Sequence, residues 1–258
     1  MELTTPAGPY LSLYDDLLTA PHTLIAGATG SGKSVFLNGL ICAALYSFPF
    51  EKQLVLIDTK RTELYQYAPA PHTLQYITEP AAAVQALQDM LNLINARCTE
   101  TARNGAKQSD AAHVYIIIDE LGDLIFTSRN AAPLLGRIAM IGRAANVHLV
   151  CCTQCPNRKT LSAEFAANMP ARIALRCDSV IESRQIIGTN DAVNLPQYGQ
   201  CLYKSPKNRT PELWNVPYIS DAEQIEKVNF WVNQINAAPP GPNRTEPKKK
   251  RLFSFVRT

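Results

Sequence analysis

Eight consecutive residues, Gly27-Ala28-Thr29-Gly30-Ser31-Gly32-Lys33-Ser34, restrict what this chain can fold into more than any others. The pattern GxxxxGK[ST] works only where a strand hands over to a helix, because its backbone N–H groups must converge on a phosphate at the helix N-terminus. The flanks supply that context: 23–26 are apolar and read as a strand, and 34–45 read as a helix. Glycines at 27, 30 and 32 let the backbone wrap around an anion. Lys33 is expected to reach the β- and γ-phosphates of a nucleoside triphosphate, and the Ser34 hydroxyl to coordinate magnesium.

The rest of the chain alternates in the same way. Apolar runs at 53–57, 114–118 and 147–152 read as strands. Pro80 starts a helix over 81–97, in which Val84, Leu87, Met90, Leu91 and Ile94 recur at helical spacing; a second helix covers 134–141. A β segment at 172–177, an edge pair near 199–203 and a last helix at 221–235 complete the pattern. Strands alternating with helices predict an α/β fold with a mostly parallel central sheet. At 258 residues one large domain is enough. It is expected to span 20–236, after an N-terminal arm or sheet-entering strand at 1–19 and before a Pro/Gly-rich linker and basic tail at 237–258. The tail carries Lys248, Lys249, Lys250 and Arg251, which either are solvated or touch nucleic acid.

Seven cysteines occur without a signal peptide or paired metal-ligand spacing. Cys151, Cys152 and Cys155 overlap an apolar strand and read as buried thiols of a cytosolic, reduced protein. No apolar run approaches the ~18 residues needed to span a bilayer, so membrane insertion is not expected and any association would need a partner.

A second set of residues fits hydrolysis. Ile116-Ile117-Ile118 runs into Asp119 and Glu120, placing one carboxylate beside a magnesium shell and the other where it can orient and deprotonate water. The alternative is that two acids at a strand end simply cap a helix. Thr153-Gln154 follows another apolar strand and either senses a γ-phosphate or forms a turn. Arg143, in Gly142-Arg143-Ala144-Ala145, is either solvent-facing or an arginine finger. Asp58-Thr59-Lys60-Arg61 brings charge either to the nucleotide edge or to an adjacent surface.

Taken in order, these blocks resemble the motor domain of the FtsK/SpoIIIE family of DNA translocases, in the FtsK–HerA branch of RecA-like ATPases. The resemblance rests on 27–35, ending in Val35, on Leu56-Ile57-Asp58-Thr59-Lys60-Arg61, on Ile118-Asp119-Glu120-Leu121-Gly122-Asp123-Leu124, on 142–150, on Thr153-Gln154-Cys155-Pro156 and on 168–174, and it covers roughly 20–228. It implies a RecA-like P-loop NTPase that binds ATP and Mg2+ and assembles as a homohexameric ring around double-stranded DNA. Gly27, Ala28, Thr29, Gly30, Ser31, Gly32, Lys33, Ser34 and Val35 would hold the nucleotide, Ser34 and Asp119 the metal. Glu120 would be the base, Gln154 the γ-phosphate sensor, and Arg143 a finger reaching in from the next subunit.

The chain departs from the family pattern at Cys155, Thr59 and Asn146, which stand where arginine, proline and glycine are common. No winged-helix module follows the motor pattern, so a minimal motor of a phage, plasmid or mobile element is expected. Two other functions share most of these residues. One is a conjugation or secretion coupling ATPase acting on protein or relaxase–DNA cargo; the other is an ATP-switched DNA-binding adaptor.

Overall fold

Residues 54–57, 114–118 and 147–153 are buried end to end, which both-sided covering by helices requires of central parallel strands. The computed structural model describes residues 11–154, 156, 162–207 and 210–237. Cys155, residues 1–10 and the basic tail lie outside them. The chain runs α1 (Leu11–Thr19), β1 (His22–Ala26), α2 (Lys33–Ala44), β2 (Lys52–Ile57), β3 (Thr73–Ile77), α3 (Pro80–Arg103), β4 (His113–Ile118), α4 (Leu121–Thr127), α5 (Ala131–Ile141) and β5 (Val147–Thr153). It continues through α6 (Ala163–Ala167), β6 (Ala171–Ala174), α7 (Val180–Ile187), β7 (Gln200–Lys204), β8 (Glu212–Asn215) and α8 (Asp221–Ala237).

One sheet has the order β3-β2-β4-β5-β1-β6-β7-β8. Strands β3 to β6 of that order are parallel, while β7 and β8 add an antiparallel edge. The α/β, mostly parallel architecture expected from the alternation is therefore present. Side chains alternate between the faces. Leu54, Leu56, Tyr115 and Ile117 join Tyr14, Phe36, Leu40 and Trp231 on one side. Val55, Ile57, Ile116 and Ile118 join Leu87, Met90, Ile94 and Ile138 on the other. A smaller cluster of Ala26, Ala174, Ile186, Ala192, Leu195 and Leu202 supports the β6–β7 side.

Several local readings change. Residues 11–19 form a helix, not a sheet-entering strand, because Tyr14, Leu17 and Leu18 fall at i, i+3 and i+4 and bury one stripe. The segment at 172–177 leaves the sheet after Ala174: the Leu175 N–H still donates to the Ala26 carbonyl at 2.9 Å, but the next two residues turn across the phosphate loop. The helix beginning at Pro80 runs on to Arg103. All six described cysteines are unpaired, and five are buried. Burial pushes the Cys42 thiol up to about 11 and those of Cys177 and Cys201 to about 12, so they stay protonated. No helix among the described residues is long and apolar enough to cross a membrane.

Candidate nucleotide site

The carboxyl ends of parallel strands are where doubly wound sheets bind ligands, and residues 27–34 follow β1 there, between β5 and β6. The loop's geometry explains its sequence. Gly30 and Gly32 adopt φ values of +72° and +92°, a region that side chains disfavour. A Cβ on Gly27 would lie 2.8 Å from both Leu175 Cβ and Ser31 Oγ. The Ala28 N–H donates to the Arg176 carbonyl at 2.8 Å, tying the loop to the segment beyond β6.

Lys33 sits under the arch and donates through Nζ to the Gly27 and Ala28 carbonyls, both at 2.7 Å. Its burial lowers the ammonium pKa; Cys152, Glu120 and Asp119 oppose that shift. Ser31 Oγ is buried without a hydrogen-bond partner. A half-buried cation, an unpartnered hydroxyl and the first turn of α2 with its free N–H groups fit a polyphosphate.

The two carboxylates stand at the end of β4, in the same sheet edge. Asp119 is pushed up to about 7, chiefly by burial and then by the negative charges of Glu63, Asp58 and Glu120. Glu120, only 8% exposed, accepts from Thr153 Oγ1 at 3.1 Å and from the Gln154 N–H at 3.2 Å. It also accepts from the Gly122 N–H at 3.3 Å as the N-cap of α4, so it does cap a helix while facing β5. Gln154 in turn accepts from Thr29 Oγ1 at 3.0 Å. The end of β4, the end of β5 and the phosphate loop are thus joined through Glu120, Gln154 and Thr29.

Lys60, left between two positions by its spacing, lies 3.8 Å from Glu120 Oε2, at the nucleotide edge. Its loop is built on Asp58, whose buried carboxylate accepts the N–H groups of Thr62, Glu63 and Leu64. Thr59 Oγ1 donates to Asp123 Oδ2 at 2.5 Å, and Arg61 turns away to pair with Glu79. The signal is position: Asp58 directly follows β2 on the same sheet edge where Asp119 directly follows β4.

Arg143 is not brought to this site. It is exposed in the 3-10 turn Gly142–Ala145, at the amino end of β5. The strand puts it about 20 Å from Gln154, at ~3.3 Å per residue. The turn is nonetheless tightly built. Arg97 Nη1 donates to the Ala145 and Ala112 carbonyls at 2.8 and 2.9 Å. Asn146 takes φ +54° where glycine is common, and its side chain bonds the Ser109 and Ala111 carbonyls and Gln108.

Comparison with known proteins agrees with this geometry. A profile described as the FtsK/SpoIIIE family matches residues 12–116. The DNA translocase FtsK of Chlorobaculum tepidum is 34% identical over 244 residues, covering 86% of this chain and 30% of that protein. The DNA translocase FtsK of Listeria monocytogenes is 34% identical over 239 residues, covering 84% and 32%. The chain belongs to the FtsK/SpoIIIE family.

Membership places it among the P-loop ATPases of the FtsK–HerA branch, with the RecA-like fold described above. Among solved structures, the cytoplasmic domain of the Thermomonospora curvata type VII secretion ATPase EccC aligns with TM-score 0.69 and 25% identity, covering 87% of this chain and 28% of that one. The pCW3 conjugation coupling protein TcpA, solved with ATPγS, aligns with TM-score 0.72 and 22% identity, covering 83% and 65%. This FtsK/SpoIIIE chain spans about a third of the curated relatives' length.

Proposed function

We propose that this chain is an ATP-driven motor that couples hydrolysis to movement of an extended cargo, in the manner of a conjugation or secretion coupling ATPase. The observation that carries hydrolysis is the connection of Glu120 to Thr29 through Gln154: a carboxylate held by the backbone N–H of a residue whose side-chain amide reaches the phosphate loop is suited to report the state of a γ-phosphate. In this reading Lys33 leaves its two carbonyls for the β- and γ-phosphates. Ser34 and Asp119 hold the magnesium ion, which when bound supplies charge neutralisation on the phosphates. Glu120 orients a water and takes its proton.

Arg143 acts from a neighbouring copy, since its own site is at the far sheet edge; a homohexameric ring gives every site such a neighbour. The site works in the cytoplasm, where ATP is held. The likeness to the type VII secretion ATPase EccC at 25% identity supports a secreted polypeptide as that cargo. A second reading, translocation along double-stranded DNA by phosphate contacts, is favoured by the 34% identity with FtsK translocases.

One experiment separates the two: ATP turnover by the purified chain alone, with long linear duplex DNA, and with an unfolded secretion substrate. Glu120→Gln should abolish turnover in every case while ATP still binds, and a six-subunit mass should appear in ATP. Stimulation by DNA alone selects the translocase, and stimulation by polypeptide selects the coupling ATPase. Turnover that survives Glu120→Gln refutes both.

A further inference from the structure

The nucleotide's orientation follows from the site. Asp119, Glu120, Lys60 and Gln154 all lie on the β4 and β5 side of the phosphate loop, with Thr29 bonded to Gln154. The γ-phosphate therefore points that way, and the base must leave on the opposite side, over β6 and β7. There the segment 195–199 overhangs the loop. Leu195 anchors it in the small apolar cluster with Ala26 and Ala174, the residues that end β1 and β6. Gly199 closes it at φ +83°, and its carbonyl accepts the Val216 N–H at 2.9 Å.

Between these anchors, Gln197 Nε2 comes within 4.0 Å of where a Cβ on Gly30 would stand, and it donates to the Tyr198 hydroxyl at 3.0 Å. Tyr198 is 63% exposed, and it belongs to none of the apolar clusters. An aromatic ring at the rim of a phosphate site, steered by a neighbouring amide and left in solvent, has the form of a stacking platform. From these contacts we propose that Tyr198 and Gln197 recognise the base of the nucleoside triphosphate, Tyr198 by stacking and Gln197 by steering the ring. This rests on the P-loop reading above and deepens it.

Calorimetric titration of the full chain with magnesium and either ATP or inorganic tripolyphosphate tests it. Tyr198→Ala should weaken ATP binding roughly tenfold, the scale of one aromatic–base stack, and leave tripolyphosphate binding unchanged. Tyr198→Phe, which keeps the ring but loses the hydroxyl that Gln197 holds, should weaken ATP binding less than Tyr198→Ala does. The proposal is overturned if Tyr198→Ala binds ATP like wild type, if Tyr198→Phe loses as much as Tyr198→Ala, if both ligands weaken together, or if the wild type binds tripolyphosphate as tightly as ATP. Lys33→Ala serves as the separate control. If it leaves both ligands bound, the P-loop reading itself fails, whatever Tyr198 does.

Discussion

A methyl group at position 27 would sit 2.8 Å from Leu175 Cβ and Ser31 Oγ and 3.2 Å from the Arg176 carbonyl. Ser31 Oγ can rotate away, but Leu175 Cβ and the Arg176 carbonyl are fixed by the backbone, so the loop itself must shift. Gly27→Ala is therefore expected to lower ATP affinity by at least about tenfold, equivalent to ~1.4 kcal/mol, with the fold retained; calorimetry and a thermal melt measure the two separately. Gly27 shows one kind of legibility. The motif named it from sequence, but the reason differs from that at Gly30 and Gly32, whose positive φ is what excludes side chains. Lys60 is the opposite case. A lysine in a charged loop carries no signal of its own, and only the register of β2 beside β4 brings it to Glu120.

At the scale of elements, the turn 142–146 is held by far more bonds than a surface connection needs. Asn146→Ala removes three side-chain hydrogen bonds and forces alanine into the left-handed region. A loss of about 3 kcal/mol is expected in chemical denaturation. Asn146→Gly keeps the backbone and should lose about 1–2 kcal/mol, the hydrogen bonds alone. Below this turn the first residues of β1 and β4 and the second of β5 bring together three histidines. His113 Nδ1 and His148 Nε2 are 2.9 Å apart, and the Leu149 N–H donates to His22 Nδ1 at 2.9 Å.

Burial holds His22 down to about 3 and His148 to about 4, and in both cases a neighbouring histidine adds to the depression. The unfolded chain protonates these groups near 6.5. Between pH 6.5 and 4 the two histidines therefore carry more protons in the unfolded chain than in the native state, outweighing the one proton that native Asp119 holds there, and stability falls as the pH falls. A drop of about 2–4 kcal/mol over that window is expected. Denaturation at pH 7 and pH 4.5 measures it, and the slope should flatten in His148→Gln.

For the whole molecule, the decisive fact is that Arg143 and the phosphate loop occupy opposite edges of one sheet. If Arg143 completes a neighbour's site, then Arg143→Ala and Glu120→Gln subunits, each inactive alone, should complement when mixed. Equal mixing in a ring leaves one interface in four with both groups intact, so about a quarter of wild-type turnover is expected. No recovery in mixed assemblies of confirmed subunit exchange would remove Arg143 from the neighbour's site, and wild-type turnover by Arg143→Ala alone would remove it from the reaction.

What the sequence determined by itself is the part written in short-range patterns. The phosphate loop, the apolar strands at 53–57, 114–118 and 147–152, the carboxylates at 119 and 120, and the alternation that makes a parallel sheet all depend on neighbours in the chain. The helix over 11–19 was less clear because its one buried stripe is short, and the early end of β6 was hidden because Leu175 and Cys177 stay buried after leaving the sheet. The tertiary structure alone decided which strand ends lie side by side. It joined Glu120 to Gln154 and Thr29, swung Lys60 to the site, put Arg143 at the far edge and hung Gln197 beside Gly30. Each of these pairings spans tens of residues or more of chain, and strand order, which sets them, is fixed by how the helices cover both faces of the sheet rather than by any local run of residues.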